Sequence, residues 1–205
     1  MKKVLLTAFE PFGGQTLNPS QEVVQVLRVQ VFEGITLETC VLPVERFLAI
    51  EQAREAMRRF APDVVVMLGE AGGRSGITLE TIAVNLDDFR IPDAAGQQPR
   101  GEPIIADGPM ELATTLPVER LVERLAAAGL PASLSTDAGR YLCNRLFYAV
   151  LYTIACAGLH IQAGFIHLPF LPEQACSLEP PKLSLPLETQ VEALTLILNS
   201  FSTRN

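Results

Sequence analysis

Tryptophan is absent from the 205 residues, and histidine occurs only twice, at His160 and His167. Any chemistry that needs an imidazole must use one of these two side chains. Basic residues are scarce: 16 Lys and Arg stand against 23 Asp and Glu, a formal net charge of −7. With no basic run, the chain carries no footprint for a nucleic-acid backbone. The four cysteines, Cys40, Cys143, Cys156 and Cys176, form no C-x-x-C pair and no zinc-type spacing, so neither a metal site nor a disulfide framework is read from them. Scattered thiols in an acidic chain suit a reducing, cytoplasmic compartment.

Charge of either sign is thin overall. Charged residues make up 19% of the chain and hydrophobic ones 48%, a balance that excludes disorder. A chain of this length buries about 70% of its unfolded surface, and one domain over residues 1–205 is expected. The basic start Met1-Lys2-Lys3 mimics a signal peptide. The apolar run stops at Glu10, too early for one, and reads as a first strand. Between Arg145 and Glu173 no Lys, Arg, Asp or Glu occurs. Length alone permits a membrane span, but Gly158, His160, Gln162, Pro169 and Pro172 interrupt it. A buried helix followed by a buried strand is expected there instead.

Strand and helix patterns alternate along the chain. Residues 4–7 read as a strand, and the turn-rich Glu10-Pro11-Phe12-Gly13-Gly14 follows. Asn18 caps a helix to about residue 30, with Pro19 at its first position. A strand is expected over 35–42, an amphipathic helix over 46–60 and a buried strand over 64–68. Residues 77–86 are β-like, and 87–108 form a long irregular segment rich in Pro, Gly and Asp, a type that is often functional. A helix over 117–128, a short strand over 132–135, an apolar helix over 141–157 and a strand over 164–168 follow. A proline-rich connection (169–186) and a closing helix (187–201) complete the chain. This alternation predicts a three-layer α/β/α sandwich with a largely parallel, mixed central sheet.

The glycine-rich run Gly69-Glu70-Ala71-Gly72-Gly73-Arg74-Ser75-Gly76 has neither the G-x-G-x-x-G spacing nor a Gly-Lys-Ser/Thr ending, so it is no phosphate cradle. It also lacks the last glycine of a serine-hydrolase elbow. A turn needing positive φ is the plainer reading. Cys143 lies near a helix start, where the helix dipole is expected to lower a thiol pKa. The other reading makes it a small buried apolar residue. His167 ends an apolar strand, where it is either a satisfied core histidine or a reactive imidazole; His160 sits in a polar turn. Glu80 is the one charge among residues 77–86. Inside a strand it needs a partner; at an edge it needs none. Together these three side chains would make a nucleophile, a base and an orienting carboxylate.

Several co-linear motifs resemble one family, the type I pyroglutamyl peptidases, or pyrrolidone-carboxylate peptidases. They are Thr7-Ala8-Phe9-Glu10-Pro11-Phe12-Gly13-Gly14 with Asn18-Pro19-Ser20, then Gly69-Glu70-Ala71-Gly72-Gly73-Arg74. Ile77-Thr78-Leu79-Glu80, Ala83-Val84-Asn85, Asp88-Phe89-Arg90-Ile91-Pro92-Asp93 and Gly96-Gln97-Gln98-Pro99 follow. Ser135-x-x-Ala138-Gly139-x-Tyr141-x-Cys143-Asn144 and Gly164-Phe165-Ile166-His167-Leu168-Pro169 complete the set. The likeness runs from Val4 to about Gln174. It implies a cytoplasmic cysteine peptidase of α/β/α fold, assembled as a homotetramer, that removes N-terminal pyroglutamate from peptides without a metal or other cofactor. By matched position it implies Cys143 as nucleophile, His167 as general base and acid, Glu80 as the group orienting His167, and Arg90 beside the oxyanion. It implies Phe9, Phe12 and Asn18 as the lining of the lactam pocket.

The chain departs from that pattern in places. Glu70 stands where the family usually has Gln, Thr81 where a basic residue usually follows the catalytic Glu, and Phe89 where Ala is frequent. An ionised Glu70 facing the lactam binds its ring N–H but not its carbonyl, which predicts weaker or pH-dependent binding. Two other readings stay open at the level of sequence. One is a related α/β hydrolase or nucleoside-phosphorylase-like enzyme. The other is a non-catalytic or altered-specificity relative with a modified pocket at Glu70.

Overall fold

In chain order the elements are β1 (Lys2–Phe9), α1 (Pro19–Leu27), β2 (Ile35–Leu42), α2 (Leu48–Phe60), β3 (Val64–Glu70), β4 (Ile77–Glu80) and β5 (Ile82–Val84). Then come β6 (Glu111–Ala113), α3 (Val118–Ala127), β7 (Ala132–Ser135), α4 (Leu142–Cys156), β8 (Gln162–Leu168), α5 (Pro172–Cys176) and α6 (Leu187–Asn199). The computed structural model describes residues 1–202.

The apolar runs of β1, β3 and β8 are buried almost throughout and form the middle of a six-stranded sheet of order β2-β1-β3-β8-β4-β7. Strands covered on both faces need no polar alternation, which is why these three read as continuous hydrophobic segments. The first four strands of that order run parallel; β4 runs antiparallel to β8, and β7 parallels β4. The sheet is therefore mixed, as the sequence predicts. One face packs on α1, α3 and α6 through Val24, Leu121 and Leu194; the other packs on α2 and α4 through Ala53 and Phe147. Each fully buried Leu or Phe contributes about 1.5–3 kcal/mol to this sandwich.

Local signals act as the sequence indicates at α1. Asn18 Oδ1 accepts from the Ser20 N–H at 3.0 Å, and Pro19 occupies the first turn. The uncharged stretch after Arg145 divides into the body of α4 and the strand β8. Among the described residues no helix is long and apolar enough to cross a membrane. The β-like run 77–86 is not one strand. It breaks at Thr81, so β4 joins the main sheet and β5 pairs antiparallel with β6. Strand β6 and the short helix α5 have no counterpart in the sequence reading. Glu111 and Ala113 of β6 are exposed, so that strand has no apolar period to reveal it.

Candidate active site

The C-terminal ends of β3 and β8 lie side by side, with Gly69 opposite His167. On the other side of β8, the antiparallel ladder sets Glu80 opposite Phe165 and Thr78 opposite His167. Side chains alternate along a strand, so Phe165 and His167 share the sheet face that meets α4. Glu80 is the diagonal cross-strand neighbour of His167 on that face. The pairing is close: His167 Nδ1 and Glu80 Oε1 are 2.7 Å apart, and both residues are buried. Gly69 leaves the space beside His167 empty of side chain. A Cβ there would stand 2.7 Å from Cys143 Sγ and 2.8 Å from the Phe165 ring. The sulfur therefore sits over Gly69, the strand partner of His167, and both side chains line one cavity.

Cys143 is the second residue of α4. The first bond closing that helix runs from Arg145 N–H to Tyr141 C=O at 3.1 Å, so the N–H groups of Leu142, Cys143 and Asn144 have no intrahelical acceptor. The next two side chains fix this turn. Asn144 accepts from Val84 N–H at 2.9 Å and donates to the Val84 and Leu86 carbonyls at 2.9 and 3.1 Å. Arg145 donates to the buried Asp87, which also accepts from Arg46 Nε at 3.0 Å.

The expected lowering of the thiol pKa is overturned. Burial, reinforced by the charges of Glu70 and Glu80, pushes the Cys143 thiol up to about 12. The helix N-terminus does not outweigh desolvation beside two carboxylates. Burial also pulls the His167 imidazole below its ordinary value, against the pull of Glu80. Burial alone would raise Glu80, but the hydrogen bond and charge of His167, with the Arg74 bond, hold its carboxyl below the usual range. Burial thus favours the neutral form of both the thiol and the imidazole.

A cavity of 260 Å³ opens on these groups, lined by Phe12, Glu70, Ala71, Arg74, Arg90, Ile91, Asp137, Ala138, Gly139, Tyr141, Cys143 and His167. Phe12 faces Tyr141 with ring centroids 6.0 Å apart. A larger cleft of 620 Å³ lies at the opposite end of the sheet, beside Lys2, Val64 and Gln162, and holds no thiol or imidazole. Among the described residues no cluster of three or more His, Cys, Asp or Glu is arranged to hold a metal ion.

The pyroglutamyl peptidase family model matches residues 2–203. The chain belongs to the pyroglutamyl peptidase family. A pyrrolidone-carboxylate peptidase of Vibrio vulnificus is 46% identical over 198 residues, 97% of this chain and 92% of that protein. One from Bacillus licheniformis is 45% identical over 195 residues, 95% and 90% of the two chains. The crystal structure of Bacillus amyloliquefaciens pyroglutamyl peptidase I superposes with a TM-score of 0.94 at 40% identity, covering 100% of this chain and 98% of that one. The pyrrolidone carboxyl peptidase of Fervidobacterium islandicum gives 0.95 at 39% identity, covering 98% of each. As a member of this family the chain is a cysteine peptidase, a hydrolase. None of these similarities supports a non-catalytic reading.

Within this member of the family the sequence-matched residues separate. Cys143, His167, Glu70, Arg90 and Phe12 line the cavity, and Glu80 lies directly behind His167. Phe9 and Asn18 do not line it. Strand β1 extends through Phe9 and turns that ring into the core against α2 and α4, leaving it 2% exposed. Asn18 is fully buried; besides capping α1 it donates to the Glu10 carbonyl at 3.0 Å and so steadies the loop that carries Phe12. The aromatic partner of Phe12 is Tyr141, held by a hydrogen bond from its hydroxyl to the Pro92 carbonyl at 3.2 Å. Glu70 Oε2 accepts from Gln174 Nε2 at 2.8 Å, and burial raises its carboxyl above the usual range despite that bond.

Sequence reasoning also missed Gly69 and Arg74. The glycine-rich run does contain one positive φ, at Gly73 (+86°). Its other glycines answer to contacts: a Cβ at Gly72 would run into the Phe170 ring. Only spacing within the run hints at this, because the atoms that forbid a side chain come from elsewhere in the chain.

Proposed function

We propose that this family member hydrolyses the bond after an N-terminal pyroglutamyl residue of a peptide, with Cys143 as nucleophile, His167 as general base and acid, and Glu80 as the group that orients His167. The bond from Nδ1 to Glu80 selects the tautomer protonated at Nδ1 and leaves Nε2 free to accept. Because burial favours the neutral thiol and the neutral imidazole, Nε2 takes the Sγ proton as sulfur attacks the pyroglutamyl carbonyl. The oxyanion meets the unpaired N–H groups at the start of α4, with Arg90 close by. The imidazolium then protonates the leaving amine, and the imidazole activates water against the thioester.

A pyroglutamyl end has no free amine, so its pocket needs no counter-ion. The Phe12–Tyr141 pair provides flat apolar walls for the lactam, and Glu70 can accept its ring N–H. The reading extends to one peptidase domain over residues 1–205 acting as a cytoplasmic homotetramer. It is supported by the family resemblance and by four free thiols suited to a reducing compartment.

The observation that carries the reading is the His167–Glu80 bond beside the Cys143 sulfur, all at one cavity. Its test is hydrolysis of a pyroglutamyl arylamide. Iodoacetamide and Cys143→Ser each abolish turnover, a loss of at least about 10³-fold for a missing nucleophile. Turnover that survives both treatments rejects the assignment.

A further inference from the structure

One oxygen, Glu80 Oε1, takes two nitrogens. His167 Nδ1 stands at 2.7 Å, and Arg74 NH1 also stands at 2.7 Å. The second arm of the same guanidinium, NH2, donates to the Asp137 carbonyl at 2.9 Å, in the loop that leads to Cys143. Arg74 also bonds the Thr78 hydroxyl, and its side chain is 28% exposed at the cavity wall. An arginine is charged at every relevant pH. Glu80 therefore has a permanent cation beside it whether or not His167 holds a second proton.

We propose that Arg74 is a positioning residue that fixes the electrostatics of the His167–Glu80 pair, keeping Glu80 ionised while His167 is neutral and competing with the imidazolium for the same oxygen. The assignment rests on the roles given above to Cys143, His167 and Glu80. Without Arg74, Glu80 gives its whole charge to His167 and holds the imidazolium more tightly. The imidazole then acts as a base only at higher pH. The thiol loses a nearby positive charge, so its ionisation also moves to higher pH. Both directions agree with the effect of Arg74 on each group, which opposes protonation of His167 and favours ionisation of Cys143.

The other charged and titratable groups of the cavity make no hydrogen bond to the pair. Asp137, ahead of α4, raises the imidazole; Glu70, at the end of β3, raises the thiol; Arg90 and Tyr141 also line the cavity. Phe165 packs on the imidazole at 4.7 Å between centroids and adds no charge. Among the described residues Arg74 is thus the permanent cation that bonds Glu80 directly.

The test compares wild type, Arg74→Gln and Arg74→Lys by kcat/KM against pH on a pyroglutamyl arylamide. The rate of iodoacetamide inactivation is followed against pH on the same proteins, with thermal unfolding as the check on folding. In Arg74→Gln the acid limb moves up by about one pH unit, and the alkylation curve also moves to higher pH. Arg74→Lys, which keeps the charge, stays near wild type in both. If Arg74→Gln does not fold, Arg74→Met, which keeps an unbranched apolar side chain without charge, takes its place. A folded neutral variant whose activity falls equally at all pH, with the acid limb unmoved, overturns the assignment. A lysine variant that follows the glutamine one does so too. These failures differ from failure of the underlying reading, in which Cys143→Ser still turns over substrate.

Discussion

Among the described residues two carboxylates, Glu80 and Asp87, are fully buried, and each is built the same way. Glu80 Oε1 takes two nitrogens and leaves Oε2 without a partner among the described residues; Asp87 Oδ2 takes two and leaves Oδ1 bare. The difference lies in the partners. Asp87 meets two guanidiniums, Arg46 and Arg145, neither of which titrates in water at ordinary pH. Glu80 meets one guanidinium and one imidazole. The first arrangement is a fixed knot that ties the 87–102 loop, through the Asp87–Glu102 bridge, to α4 and to the chain entering α2. The second contains a group, the imidazole, that can gain or lose a proton. The same buried anion is structural when its partners are permanent and chemical when one of them is histidine.

Breaking each carboxylate's environment in turn sharpens that comparison. Glu80→Gln has the largest expected effect. It removes the acceptor that selects the His167 tautomer, and kcat/KM on a pyroglutamyl arylamide falls by about 10²–10⁴-fold. Near-wild-type turnover in this variant would remove Glu80 from the mechanism. Arg145→Met follows. It leaves Asp87 with one cation, and urea unfolding shows a loss of about 3–5 kcal/mol, as for other broken buried pairs. The protein that remains folded keeps the wild-type pH profile. A shifted profile there would show that the knot also tunes the chemistry and would end the distinction.

The smallest effect is expected from Glu70→Gln. Burial raises the Glu70 carboxyl, so the folded state holds its proton more tightly than the unfolded chain does. Ionising it therefore costs stability as pH rises from the unfolded value through the folded one. An amide removes that cost, and the melting temperature at neutral pH rises slightly. The Cys143 thiol also loses a neighbouring negative charge, so iodoacetamide inactivation shifts to lower pH. An unchanged alkylation profile would show that Glu70 does not act on the sulfur.

Elements with a local cause are legible in the sequence. Val64–Leu68 in β3 and the apolar end of β8 are strands because unbroken hydrophobic runs of that length are buried on both faces. Helix α1 begins at Pro19 because Asn18 caps it and proline fits its first turn. Cys143 lies at a helix start because Gly139 breaks the chain just ahead of α4. The remaining features depend on atoms distant in sequence. The antiparallel register of β4 on β8 brings Glu80 diagonal to His167, 87 residues away. A slip of one residue would send Glu80 to the other face. The vacancy at Gly69 matters only because α4 lays a sulfur over it. Phe9 fell to the core and Tyr141 to the cavity because of how far β1 extends and where α4 begins. The neutral thiol likewise reflects burial beside Glu70 and Glu80, which no helix-start pattern contains. Local sequence chose the reactive groups; long-range packing set their distances and charges.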